Sequence, residues 1–174
     1  MLKKILAAIV VVIVGILGFA ATKPDTFTVQ RSTLVEAPSA KIYPLVSDLK
    51  SFNAWNPFAA QDPTSKITYA GATSGKGAAY TWQGGKSGEG RMELTDAQEG
   101  SKVTYKLDFT KPMEAHNVVE FSLAPQGDAT NVTWAMRGPM PFVSKVMTLF
   151  FDMDKAVGSE FEKGLASVKA LSER

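Results

Sequence analysis

Hydrophobic and polar positions along this chain change period several times, and each period predicts a different element. Ile5 to Ala21 (ILAAIVVVIVGILGFAA) is an unbroken run of 17 apolar or glycine residues with no polar face. After the polar Thr22-Lys23-Pro24-Asp25, the stretch Phe27 to Val35 alternates with period two, which predicts a strand with Phe27, Val29, Arg31, Thr33 and Val35 on one face. Ala37-Pro38-Ser39 is a helix start signal, and Ile42, Leu45, Val46 and Leu49 follow at the i, i+3, i+4, i+7 spacing of one helical face. Pro44 lies inside that pattern and predicts a kink or a late start, because its ring removes an amide donor and crowds the preceding turn. Phe52, Trp55, Pro57 and Phe58 then form an aromatic, proline-containing segment expected to turn the chain across one end of the core.

From residue 65 to 137 the period is two throughout. Lys66–Ala70, Ala78–Gln83, Gly88–Thr95, Lys102–Phe109, Glu114–Leu123 and Asn131–Arg137 each alternate, and glycine-, proline- and serine-containing turns separate them. Connections that short imply antiparallel pairing in a meander. The apolar faces carry Tyr69, Tyr80, Trp82, Met92, Trp134 and Met136, while Glu93, Lys106, Asp108, Glu120 and Thr133 fall on the opposite, solvated face. Beyond Gly138-Pro139-Met140-Pro141 the pattern turns helical. A short apolar helix is expected over Phe142–Phe151, then an amphipathic one in which Met153, Val157, Phe161, Leu165, Val168 and Leu171 share a face. Asp152 and Asp154 sit at its start, where capping and the helix dipole favour negative charge. A seven-stranded antiparallel sheet has one apolar face to cover, and the C-terminal helix is the only element long and apolar enough to cover it. The expected architecture is therefore α+β, a curved sheet around that helix.

Length and composition fit one such domain: 174 residues with 45% apolar side chains suffice for a single core. The formal charge of +2 comes from Lys3 and Lys4, because 17 of the 19 Lys and Arg residues lie beyond residue 22 and balance 17 Asp and Glu. A neutral domain without a basic stripe excludes nucleic acid as the expected partner. The absence of cysteine removes disulfides and thiolate chemistry together.

The N-terminal run spans about 26 Å as a helix, at the lower limit for crossing a bilayer. Lys3 and Lys4 would hold its start in the cytoplasm and place the rest on the periplasmic or extracellular side of a bacterial membrane, as a single-pass protein. A cleaved signal peptide is the competing reading, since Gly18-Phe19-Ala20 and Phe19-Ala20-Ala21 offer small residues near a cut; the length of the run favours the anchor.

The order of elements, with Glu36-Ala37-Pro38 after the first strand, Val46-Ser47-Asp48 in the first helix and Trp55-Asn56-Pro57 closing the second, resembles the START-like superfamily called SRPBCC. Gly88-Glu89-Gly90-Arg91-Met92, Lys111-Pro112-Met113-Glu114-Ala115, Val132-Thr133-Trp134-Ala135-Met136, Met153-Asp154-Lys155 and Phe161-Glu162-Lys163-Gly164-Leu165 resemble its polyketide cyclase/dehydrase-like branch. The resemblance covers residues 27–172 and implies a helix-grip fold with a cavity that takes a lipid or other hydrophobic molecule. It brings no catalytic motif that matches here, and it implies no cofactor. The expected organisation is an anchor or uncleaved signal segment at 1–22, a linker at 23–26 and a START-like helix-grip domain at 27–174.

Candidate chemistry is sparse. His116 is the lone histidine, and alternation puts it opposite Asn117 and Val119, toward water or an edge; an ordinary surface histidine explains it. Glu114, two residues earlier, makes a Glu114–His116 pair the best acid/base candidate, though a weak one. No residue set suggests a metal, and Asp152 and Asp154, two apart on a helix, do not face each other. Arg31 and Asn117 are the polar residues that alternation turns inward, so Arg31 is expected either at a cavity mouth or ligand head group, or as an edge arginine reaching solvent. With Trp55, Tyr69, Tyr80, Trp82, Met92, Trp134 and Met136 they are the candidate ligand-binding residues; any one of these aromatic and methionine positions is more often plain core than ligand wall, and their number together points to a cavity. The expected function is a membrane-tethered binder of a hydrophobic or lipid-like small molecule, without evident catalysis. The alternatives are a cyclase or dehydratase using Glu114 and His116, and an envelope module that binds a protein segment.

Overall fold

A computed structural model describes residues 1–174. Seven strands form one antiparallel sheet: β1 (Thr26–Val35), β2 (Lys66–Gly71), β3 (Ala78–Gln83), β4 (Glu89–Gln98), β5 (Lys102–Lys111), β6 (Ala115–Gln126) and β7 (Ala129–Pro139). Their order across the sheet is β1-β7-β6-β5-β4-β3-β2, so the meander from β2 to β7 is completed by β1. Thr26 lies opposite Pro139 and Val35 opposite Thr130. The start of β1, the end of β7 and the hairpin turns after β3 and β5 therefore share one end of the sheet, the proximal end, to which helix α1 (Leu2–Ala21) is joined. The turns after β2, β4 and β6 lie at the distal end.

Three short helices, α2 (Ser39–Ser47), α3 (Leu49–Trp55) and α4 (Pro57–Gln61), lead back from β1 to β2. Two small helices are expected here, the first holding Val46-Ser47-Asp48 and the second closed by Trp55-Asn56-Pro57, and α2 and α3 are those two, although the apolar period of the first runs on to Leu49. The break falls at Asp48, not at Pro44: Asp48 is extended (φ −96°, ψ 120°) and its carboxylate accepts the Ser51 amide at 2.7 Å, which starts a new helix. Pro44 stays within α2. Asn56 likewise caps α4, with Pro57 in its first turn, so the segment expected to turn the chain contains a further helix. After β7, the apolar helix α5 (Phe142–Met147) ends earlier than expected, and α6 (Met153–Ser172) follows, capped by the Asp152 carboxylate on the Lys155 amide.

The helix α6 runs from the proximal to the distal end along β1 and β7, touching α2, α3 and α4 on its other flank. Its close approach depends on two residues without a β-carbon. A methyl group at Gly164 would stand 2.6 Å from the Trp134 ring and 3.1 Å from that of Trp55, and one at Gly158 would meet the Arg31 guanidinium at 2.1 Å. The distal half of the space between sheet and helix is solid. Val35, Ile42, Val46, Val103, Tyr105, Phe121, Leu165 and Val168 are all buried there, and burying each large apolar side chain contributes roughly 1.5–3 kcal/mol. The Tyr105 hydroxyl donates to the Val46 carbonyl and the Trp55 indole N–H to the Leu45 carbonyl, so these two aromatic residues have polar partners.

The first helix, α1, is long and apolar enough to cross a membrane, a property shared with signal sequences. Ala20 is its one buried residue, and α1 packs against α5. Four residues, Thr22 to Asp25, separate it from β1.

Candidate functional site

Because α6 follows β1 and β7, the inner faces of β3, β4 and β5 near the proximal end curl past it and face open space. The result is a cavity of about 580 Å³, within the range of roughly 300–1,000 Å³ typical of small-molecule sites. Ile67 from β2, Tyr80 and Trp82 from β3, Met92 from β4, and Leu107 and Phe109 from β5 form its floor. Val119, Trp134 and Met136 close one side, Phe52, Phe58 and Ala59 another, and Val157 and Phe161 of α6 the roof. The Trp134 ring stacks on Phe161 with centroids 4.1 Å apart and planes within 10°, and the Trp82 and Phe109 rings meet edge to face at 5.5 Å.

Polar groups are few and have separate places. Within the wall, the Tyr80 hydroxyl has only the Met92 sulfur, at 3.5 Å, as partner, and burial pushes its phenol pKa up, so it stays neutral. The Trp134 indole N–H is buried with no protein acceptor. Gln61, Asp62, Ser65, Lys86 and Ser87 gather at the proximal rim, between the α4–β2 loop and the β3–β4 hairpin. Asp62 joins the two loops: one carboxylate oxygen accepts from the amides of Lys86 (3.0 Å) and Ser87 (3.1 Å) and from the Ser87 hydroxyl (3.0 Å), and the other from the Thr64 hydroxyl (2.8 Å). The Ser87 amide, and after it the Thr64 hydroxyl, hold this carboxyl well below the usual carboxylate range despite its burial. Trp82 adds a bond across the hairpin, its indole N–H donating to the Ser87 carbonyl at 3.2 Å.

Of the residues singled out by alternation, Tyr80, Trp82, Met92, Trp134 and Met136 line this cavity. Trp55 lies behind the wall, edge-on to Trp134 at 5.6 Å. Tyr69 is on the exposed part of the edge strand β2, where its hydroxyl accepts a long 3.3 Å bond from the Asn53 amide. Asn117 is buried beside Gly138, with its side-chain oxygen unpartnered. Arg31 is taken up by α6: its guanidinium donates to Asp154 (2.8 and 3.1 Å) and to Glu162 (2.8 Å), binding the helix to β1 outside the cavity. The inward-facing arginine is thus half-buried and ion-paired with partly exposed carboxylates of the helix it meets, rather than placed at the cavity.

His116 is exposed and bonds Asp108, Nδ1 to Oδ1 at 2.6 Å; Glu114 precedes β6 and lies outside this pair. Leu107 and Phe109 face the cavity, so Asp108 and its partner His116 stand on the opposite, convex face. Partial burial pushes the Asp108 pKa up, and hydrogen bonds from His116 and Lys106 more than reverse this, leaving it lowered. Sequence reasoning missed Asp62, Lys86 and Ser87. Asp62-Pro63-Thr64-Ser65 carries the local signal of an Asx turn, but nothing local points from it to residues 86 and 87.

A curved antiparallel sheet gripping a long C-terminal helix, with a largely apolar hollow between them, defines a START-like helix-grip protein. The chain belongs to the polyketide cyclase/dehydrase and lipid transport family, whose model matches residues 26–173. No curated protein matches it in sequence. Among solved structures it is similar to protein CV1439 from Chromobacterium violaceum, at 13% identity and a TM-score of 0.60, over 87% of this chain and 99% of that one. Ginseng major latex-like protein 151 from Panax ginseng aligns with a TM-score of 0.60 and 11% identity over 87% of this chain and 100% of that one. The Aha1 dimer from Colwellia psychrerythraea gives 0.59 and 14% over 84% and 96%. At such identities these likenesses bear on the fold alone.

Proposed function

We propose that this protein binds a hydrophobic or lipid-like small molecule in the cavity and is tethered by α1 to a membrane, with its domain on the periplasmic or extracellular side. The observation that carries the reading is the composition of the hollow: 14 of its 20 lining residues are hydrophobic, and its polar groups concentrate at one rim. An apolar body would lie against Trp82, Leu107, Phe109, Met136 and the Trp134–Phe161 stack, and a polar head would reach the rim. Tyr80 and Trp134 supply the donors of the wall. Lys3 and Lys4 in the first turn of α1, ahead of its apolar run, support the stated orientation.

A binding role is preferred to acid/base catalysis for a chemical reason. Asp62 is the single carboxylate among the lining residues, and four hydrogen bonds commit it as an ion-like acceptor, which suits neither a general acid nor a mobile base. The His116–Asp108 pair is on the other face of the sheet.

Native mass spectrometry of the full chain released from lipid nanodiscs tests the reading. One apolar molecule retained per chain is the expected result. Protein that is always bare, and that takes up no fluorescent fatty-acyl probe, would overturn it.

A further inference from the structure

The polarity of α5 is inverted for a helix in water. Its one charged residue, Lys145, is 7% exposed and donates to Asp25 at 2.6 Å, whereas Phe142, Val143 and Met147 are exposed. The turn that follows continues the pattern, with Phe150 76% and Phe151 56% exposed. In water the charge belongs outside and the rings inside; at the boundary of lipid head groups and acyl chains the observed arrangement is the favourable one.

Position supplies the second observation. Met113, exposed in the β5–β6 turn, lies at the same proximal end as the β7–α5 connection, while the distal turns carry Glu99, Gly100, Gln126, Gly127 and Asp128. Apart from Leu34, Tyr69 and Leu171, the exposed large apolar side chains of the domain thus gather at the end that bears α1, and α5 packs directly on α1. A bilayer that contains α1 therefore meets α5. The rim residues Asp62, Lys86 and Ser87 sit in proximal loops as well.

We propose that α5, the 148–151 turn and the Met113 loop form a seat that rests in the interface of a phospholipid bilayer and turns the cavity rim toward the lipid. The seat rests on the reading of α1 as a membrane anchor and extends it: the domain is held against the membrane in one orientation rather than hanging from it. Lys145, itself buried and paired with the exposed Asp25 carboxylate, leaves the lipid-facing side of α5 uncharged.

The chain has no cysteine, so nitroxides can be attached one at a time to the full-length protein in phosphatidylcholine–phosphatidylglycerol vesicles. Phe150→Cys, Val143→Cys and Met113→Cys report on the seat, Val11→Cys on α1 and Gln126→Cys on the distal end; all five positions are exposed, so the core is untouched. The expected result is a ratio of collisions with oxygen to collisions with a water-soluble nickel chelate several-fold higher at the three seat positions than at Gln126→Cys. Seat labels as wet as Gln126→Cys, with Val11→Cys in lipid, would overturn the seat and leave the anchor standing. Wet labels at both places would overturn both, and wet Val11→Cys with a lipid-facing seat would overturn only the anchor. Seat labels shielded from both reagents, as in a protein–protein contact, would overturn the bilayer as occupant.

Discussion

The distal and proximal halves of the interior begin from the same pattern of inward-facing apolar residues and end in opposite states. In the distal half Phe121 is surrounded by rings, with Trp134 at 4.9 Å, Phe52 and Trp55 at 6.0 Å and Tyr105 at 6.4 Å. In the proximal half Leu107, Phe109 and Trp82 are equally inward but half-buried, because they border a hollow. The difference lies in what stands opposite. Ile42, Val46, Leu165 and Val168 fill the distal space, whereas proximally α6 follows β1 and β7 and leaves β3 to β5 uncovered. Strand periodicity chooses the face of a residue; the path of the covering helix decides whether that face is core or ligand wall.

The largest effect expected from this contrast is on stability. Phe121→Ala should cost about 3–5 kcal/mol in urea unfolding, since it opens a void on every side. Phe109→Ala, which removes a ring already bordering space, should cost about 1 kcal/mol or less. Equal losses would mean that the hollow is filled in solution. An intermediate effect is expected from adding volume. Leu94→Trp in the solid half should destabilise by about 1–3 kcal/mol through overpacking. Leu107→Trp should be tolerated and instead weaken binding of the apolar dye anilinonaphthalene sulfonate about tenfold, equivalent to about 1.4 kcal/mol. If Leu107→Trp destabilised as much as Leu94→Trp and left dye binding unchanged, the division of the interior would not hold.

The smallest effect concerns the rim. The Asp62 carboxyl is depressed in the folded state, so its stabilising contribution is complete above its unfolded pKa of about 3.9 and is lost as pH falls through the lower folded value. Asp62→Asn lacks that contribution. The gap in urea midpoint between wild type and Asp62→Asn should therefore be at full width from neutrality down to about pH 4 and narrow progressively from there toward about pH 2. A gap constant across that interval would detach Asp62 from the rim's stability.

Much of the fold was legible in the sequence because alternation and helical spacing are local. The strands, the covering role of α6 and its capped start at Asp152 all follow from neighbours within a few residues. The elements that differed turn on single side chains. Asp48 redirects a helix whose apolar period runs straight through it, and Asn56 with Pro57 starts α4 inside what reads as a turn. The site was legible as a face but not as a place. Tyr80 and Trp82 at the hollow and Trp55 behind its wall carry the same signal of an inward aromatic residue, and only the three-dimensional path of α6 separates them. Arg31 depends on Asp154 and Glu162, and Asp62 on Lys86 and Ser87, partners that tertiary structure alone brings near.

The four residues between α1 and β1 extend to about 14 Å at most. If α1 is embedded as proposed, a leash of that length keeps the domain close to a single leaflet. A lipid-like ligand would on that reading be gathered by lateral diffusion within that sheet of lipid and surrendered there or to a visitor that comes to it, and shuttling it across an aqueous gap to a second membrane would be beyond the domain's reach.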